Sequence, residues 1–126
     1  MNKKIRDDIL YDSHVDMLKE IFRKQELFQL ALKYDVTKMT DKERVEYIKW
    51  NSIAMFDEIC ESLRETPWKP WKKKQSLNIE RYREELIDLL HFFVNACLVS
   101  GMTADDLFDK YTIKMKENID RQMMKY

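Results

Sequence analysis

The sequence predicts an all-α fold, and three observations carry that prediction. Only one Gly and two Pro occur in 126 residues, so tight hairpins are scarce and long helices are favoured. Charged residues make up 37% and hydrophobic residues 44%, the balance of amphipathic helices. Apolar residues recur three or four apart along most of the chain. No repeat, low-complexity tract or composition shift interrupts it, so residues 1–126 read as one domain.

The elements follow in order. Residues 1–12 carry mixed charge without a clear period and read as a loose terminus or a short helix. Ser13 can cap a helix running to about Tyr34, with Val15, Leu18, Ile21, Phe22 and Phe28 among its apolar positions. Thr40 and Glu43 form a capping-box pattern, opening a helix whose apolar positions are Val45, Ile48, Phe56, Ile59, Cys60 and Leu63. That helix must stop before Pro67, which pushes Thr66 out of helical geometry. After the Trp- and Lys-rich segment 67–74, Asn78 caps a helix to Ser100, where Gly101 suits a left-handed cap. Thr103 and Asp106 start a last helix that reaches the end of the chain. The expectation is a four-to-five-helix bundle.

Composition also narrows function. With 23 basic and 23 acidic residues, no global field draws the chain to nucleic acid or an anionic membrane. Cys60 and Cys97 lie in apolar runs and read as reduced core residues of a cytoplasmic protein. Met1 to Asp8 lacks the apolar stretch of a signal peptide, so none is expected. The apolar stretch Leu86 to Val99 is too short to span a bilayer and contains Asp88, His91 and Asn95. It is expected to be a buried helix surrounded by others.

On that helix Glu84, Glu85, Asp88, His91 and Asn95 fall in one sector roughly 120° wide. A polar strip on a buried helix faces either salt-bridge partners, a solvent edge or a cleft, because unpaired buried charge is costly. The preceding helix offers Glu58, Glu61 and Glu65 at i, i+3 and i+7, a face that solvent alone would explain. Packed side by side, the two strips would make an oxygen-rich site whose carboxylates repel one another unless a cation compensates, and Mg²⁺ is the usual one. Redox di-iron chemistry is disfavoured, because Asp88-Leu89-Leu90-His91 has only His14 as a second histidine, outside any such motif. Structural zinc lacks ligands near Cys60 and Cys97, and one Gly cannot build a phosphate-cradling loop. Cations stand in two places. Lys69, Lys72, Lys73 and Lys74 sit among Trp68 and Trp71, as a solvated loop or as a flap over phosphates. Lys114, Asn118 and Arg121 share one face of the last helix, a donor-rich stripe or simply a solvated one.

Together these blocks resemble the dimeric, all-α dUTPases, relatives of the MazG-type nucleotide pyrophosphohydrolases. The signature Glu-x-x-Glu then Glu-x-x-Asp reads here as Glu58-Ile59-Cys60-Glu61 and Glu85-Leu86-Ile87-Asp88. Trp68-Lys69-x-Trp71-Lys72, Gly101-Met102-Thr103 and the tail from Tyr111 through Lys114, Asn118 and Arg121 to Tyr126 extend the likeness over about residues 15–126. The resemblance implies that Glu58, Glu61, Glu85 and Asp88 hold two or three Mg²⁺ ions, with Glu58 orienting the attacking water. It gives Lys69, Lys72, Lys114, Asn118, Arg121 and Tyr126 to the phosphates, and Gln25, Trp68, His91 and Asn95 to base and sugar. It further implies a homodimer and hydrolysis of dUTP to dUMP and pyrophosphate.

The chain also departs from that pattern. Phe28 and Gln29 stand where an Asn or Asp usually follows Gln25, and Lys125 where Gly often precedes the final tyrosine. The long insertion between Asp88 and Lys114 is missing, as in compact phage members, some of which accept dCTP. A pyrophosphohydrolase of dCTP or another dNTP is therefore the alternative substrate reading, in a host cytoplasm if phage-encoded. From another class comes a non-catalytic helical regulatory protein of the same fold. Leu107, Phe108 and Ile119, with Tyr47 and Trp50, either pair two subunits or complete one chain's own core.

Overall fold

The computed structural model describes residues 2–11 and 16–124, and all regular structure among them is helical. α1 (Lys3–Leu10) begins at Asn2, whose side chain accepts from the Ile5 N–H at 2.9 Å. α2 (Met17–Ala31) is capped by Asp16, which accepts from the N–H groups of Leu18 and Lys19. The cap of the described helix is Asp16; Ser13, the expected cap, lies outside the described residues, as do His14, Val15 and Tyr126. The helix ends three residues short of Tyr34. Lys33 turns left-handed at φ 72, and the N–H groups of Lys33 and Tyr34 bond back to Leu30 and Gln29.

α3 (Asp41–Arg64) opens at the expected Thr40–Glu43 pair, with one half of a capping box formed. Thr40 Oγ1 accepts from the Glu43 N–H at 3.2 Å and meets Glu43 Oε1 at 3.0 Å. α4 (Ile79–Val99) starts at Asn78, which accepts from the Arg81 N–H, and ends on Gly101 at φ 79. There Gly101 N–H bonds to Leu98 and Met102 N–H to Cys97, a Schellman cap in which only glycine sits without strain. α5 (Ala104–Met124) begins with a reciprocal box, Thr103 N–H to Asp106 and Asp106 N–H to Thr103 Oγ1.

α3 and α4 form the dominant pair. α2 lies across α4, and α1 and the start of α5 rest on α2. The chain turns by 102° between α4 and α5, so α5 leaves the bundle instead of folding back along α4. The buried cluster is small: Phe22, Val94, Cys97 and Ala104, flanked by Leu18, Leu98, Met102 and Leu107.

Burial overturns two expectations. α4 is not surrounded: Val94, Asn95, Cys97 and Val99 are buried, while Leu86, Ile87, Leu90 and Phe93 stand exposed. On α3 the expected core stripe lies outward, with Val45, Ile48, Phe56, Ile59 and Leu63 exposed, and Tyr47, Asn51 and Ser62 buried instead. The cause is that one chain supplies only α2 and α3 to cover α4, and α3 turns its polar side to that cleft. The chain exposes 10184 Å², where a compact monomer of 15.5 kDa exposes about 7,200 Å². No single helix among the described residues is long and apolar enough to cross a membrane.

Candidate active site

The face of α3 that meets α4 carries Tyr47, Asn51, Glu58, Glu61 and Glu65, spaced at multiples of a helical turn. At the loop end of the pair, Glu65 binds Arg81 at 3.3 Å and its carbonyl accepts from the Asn78 N–H at 2.9 Å. These contacts fix the register of the two helices one turn from Glu61 and one turn from Glu85. Carboxylate oxygens of Glu58, Glu61 and Glu85 then lie within 4.8 Å of one another, all three half-buried.

Oxygens so close are hard to keep charged. Burial pushes the Glu58 carboxyl up to about 7, aided by its contact with Glu85 and by the charges of Glu61, Asp88 and Glu85. Contact with Glu85 raises Glu61 as well, ahead of burial and the charges of Glu85 and Asp57. Glu58 Oε2 and Glu85 Oε2 are buried without a hydrogen-bond partner, which in a native cleft calls for a cation or a proton. The donor set is all oxygen, so a hard divalent ion fits it. Asp88 is exposed and stands outside this close trio, one turn along α4 from Glu85.

Asp88 and Glu58 both line an adjoining cavity of about 380 Å³ with Gln25, Phe28, Gln29, His91, Phe92 and Asn95. That size suits a small ligand lined by aromatic and amide groups. Its polar wall is a continuous chain of hydrogen bonds. Gln25 lies 2.7 Å from His91 Nδ1 and donates to Asn95 Oδ1 at 2.8 Å. Asn95 donates to Asn51 Oδ1 at 2.9 Å, and Asn51 donates to the Tyr47 carbonyl at 2.8 Å. The Tyr47 hydroxyl donates to Gln29 at 2.8 Å, and burial pushes its pKa up to about 12. Tyr47 is therefore an interior group here and not a subunit contact.

The structure brings Gln25, His91 and Asn95 together beside the carboxylates. Trp68 is elsewhere. It lines a polar cavity of about 350 Å³ in the α3–α4 loop with Arg64, Lys69, Lys72, Lys74 and Gln75. Lys69 Nζ sits 5.6 Å from the Trp68 ring, and Gln75 pins the loop through the backbone of Lys69 and Lys72. Lys114, Asn118 and Arg121 are exposed on α5 and not brought to the carboxylates of their own chain, because α5 departs at the 102° turn; Lys114 pairs with Glu117 instead. Sequence reasoning missed Gln29 and Phe92 as lining residues and Asn51 as the amide bonded behind Asn95. Asn51 shares the helical face of Glu58 and Glu65, the one signal that could have found it. A larger cavity of about 660 Å³, lined by Lys33, Tyr34, Thr40 and Trp50 among others, holds neither the carboxylate trio nor an orphaned buried oxygen.

Comparison with known proteins bears on this geometry. The chain is 42% identical over 67 residues to a dCTP pyrophosphatase of Enterobacteria phage LZ5, covering 44% of this chain and 39% of that one. It is 33% identical over 67 residues, with the same coverage, to a dCTP pyrophosphatase of Enterobacteria phage T4. The match thus spans well under half the length of these curated relatives. No solved structure matches. The family described as dUTPase matches residues 17–99, from the first turn of α2 to the last of α4. Those residues are more than half of the chain and hold the whole carboxylate cleft and its amide wall, so the chain belongs to the all-α dUTPase family.

Proposed function

We propose that this chain is a Mg²⁺-dependent pyrophosphohydrolase of a pyrimidine deoxynucleoside triphosphate, cleaving between the α and β phosphates to release pyrophosphate. The observation that carries the proposal is the trio Glu58, Glu61 and Glu85, with two orphaned buried oxygens, opening onto an amide-walled cavity through Glu58 and Asp88. Both relatives named above are dCTP pyrophosphatases, which favours dCTP over the dUTP that the sequence pattern first suggests. dUTP is the second reading, supported by the family's description.

Glu58, Glu61, Glu85 and Asp88 would hold the metal; bound there, Mg²⁺ supplies charge neutralisation at the phosphates and a more acidic water. Glu58, by preference among the four, would also orient the attacking water. Phe28 and Phe92 offer apolar walls to a base, and the amide relay offers its edge a hydrogen-bonding partner. Lys69 and Lys72 lie in the loop that joins the same helix pair, and a flap over a polyphosphate would have to carry them to the cleft. A second copy of the chain would cover the outward apolar faces of α3 and α4, and its α5 could bring Lys114, Asn118 and Arg121 to this cleft.

The test is a panel of dNTPs with Mg²⁺, read by pyrophosphate release. dCTP should be turned over fastest, and release from none of them would sink the proposal. Glu58→Ala and Asp88→Ala should each cut kcat by about a hundredfold or more, the usual cost of removing a group that stabilises the transition state. Full activity in both variants would instead favour a helical regulatory protein.

A further inference from the structure

The amide relay has a direction, and a backbone atom sets it. The Tyr47 carbonyl can only accept, so Asn51 must turn Nδ2 toward it, at 2.8 Å. Asn51 Oδ1 then faces Asn95 and takes its Nδ2–H at 2.9 Å. Asn95 Oδ1 in turn takes the Gln25 Nε2–H at 2.8 Å, which leaves Gln25 Oε1 against His91 Nδ1 at 2.7 Å. Two acceptors at that distance would repel, so Nδ1 carries the hydrogen. Asn51, Asn95 and Gln25 are all buried, at 5%, 3% and 6% exposure, so reversing one link would set like groups against each other inside the protein. In the neutral ring the lone pair is then on Nε2. That nitrogen has no hydrogen-bond partner among the described residues, and His91 lines the cavity beside Glu58 and Asp88.

We propose that the Tyr47–Asn51–Asn95–Gln25 relay holds His91 as a fixed hydrogen-bond acceptor that selects the 4-amino group of cytosine against the 4-oxo group of uracil. The inference rests on the pyrophosphohydrolase reading above. Cytosine offers N–H donors at position 4, where uracil offers an acceptor that would face the Nε2 lone pair. Uracil has its own donor only at N3, one ring position away, so the two bases cannot use this acceptor in the same seat. Asn51 touches no substrate. It is a positioning residue, acting through two amides on the tautomer of His91.

The test pairs a spectrum with a substrate ratio. Long-range ¹H–¹⁵N correlation of histidine-labelled protein, at a pH where His91 is neutral, reads its tautomer without substrate. kcat/KM for dCTP and for dUTP gives the ratio. Wild type should show hydrogen on Nδ1 and a preference for dCTP of about tenfold or more, the size of one satisfied hydrogen bond against one repulsive contact. Asn51→Asp, kept protonated by burial, can donate its O–H to the Tyr47 carbonyl and still accept from Asn95, so it should preserve both tautomer and ratio. Asn51→Leu removes the anchor, and should mix the tautomers and draw the ratio toward unity. A merely structural role would lower activity on both substrates together and leave tautomer and ratio unmoved. Hydrogen on Nε2 in wild type, or an unchanged ratio in Asn51→Leu, overturns the relay. If Asn51→Leu does not fold, the wild-type tautomer and its retention in Asn51→Asp decide, a switch in either being fatal. A chain that hydrolyses no dNTP overturns the enzymatic reading and the base selection with it, and the tautomer spectrum tells that failure from failure of the relay.

Discussion

Glu58 enters the cleft with one oxygen buried and unpartnered, facing three other carboxylates, and its carboxyl is pushed from 4.5 up to about 7. The folded chain therefore holds a proton that the unfolded chain releases between those two values. A raised carboxyl contributes stability that is whole below the unfolded pKa and is lost as pH rises through the folded one. Without metal, the melting temperature should fall from about pH 5 to about pH 8. Mg²⁺ should restore more of it at the alkaline end, and Glu58→Gln should flatten the slope. Thermal melts in chelator would check this, and a slope of the opposite sign would refute it. Four acids at i, i+3 spacing on two helices could be read from sequence, because carboxylates have few reasons to gather. Gln29 and the relay role of Tyr47 could not, since an isolated amide or phenol in a helix looks the same whether it faces water or a relay, and only the face shared with Glu58 marked Asn51.

At the level of single helices, the ends were the most legible part. Thr40, Asn78, Gly101 and the Thr103–Asp106 pair sit where their capping chemistry places them, because a cap is decided by three or four adjacent residues. Thr40→Ala should cost about 1 kcal/mol, read as a lower melting temperature. Lys33 is the exception. It takes a left-handed conformation, φ 72, that a lysine adopts only under strain, and nothing in its sequence neighbourhood announces a helix end three residues early. Lys33→Gly should stabilise the chain by about 0.5–1 kcal/mol. The orientation of α3 was illegible for a different reason. Its apolar and polar stripes are both regular, and periodicity says where each stripe lies but not which one meets the neighbouring helix.

For the whole molecule, the outward stripes of α3 and α4 belong with the excess surface. The chain exposes about 3,000 Å² more than a compact monomer of its mass, about 6,000 Å² for two chains, and a large obligate interface, which buries about 2,000–5,000 Å² or more over both partners, would take up much of it. Sedimentation should find two chains, and Phe56→Glu or Ile87→Glu should yield monomers with weakened activity. A wild-type monomer at micromolar concentration would contradict the pairing. A single sequence cannot reveal which apolar residues a second copy covers, because burial against self and burial against a partner select the same side chains.

The Glu65–Arg81 pair and the Asn78-to-Glu65 backbone bond close the α3–α4 hairpin across only the loop between them. Helical hairpins of this kind are built from contacts near in sequence and form early, before more distant elements dock. The carboxylate trio would thus be assembled while α5 is still finding its place, and before any second chain arrives. Folding order then separates making the site from completing it. Hydrogen exchange should show amides of α3 and α4 around Glu58 and Glu85 opening last and those of α5 opening first.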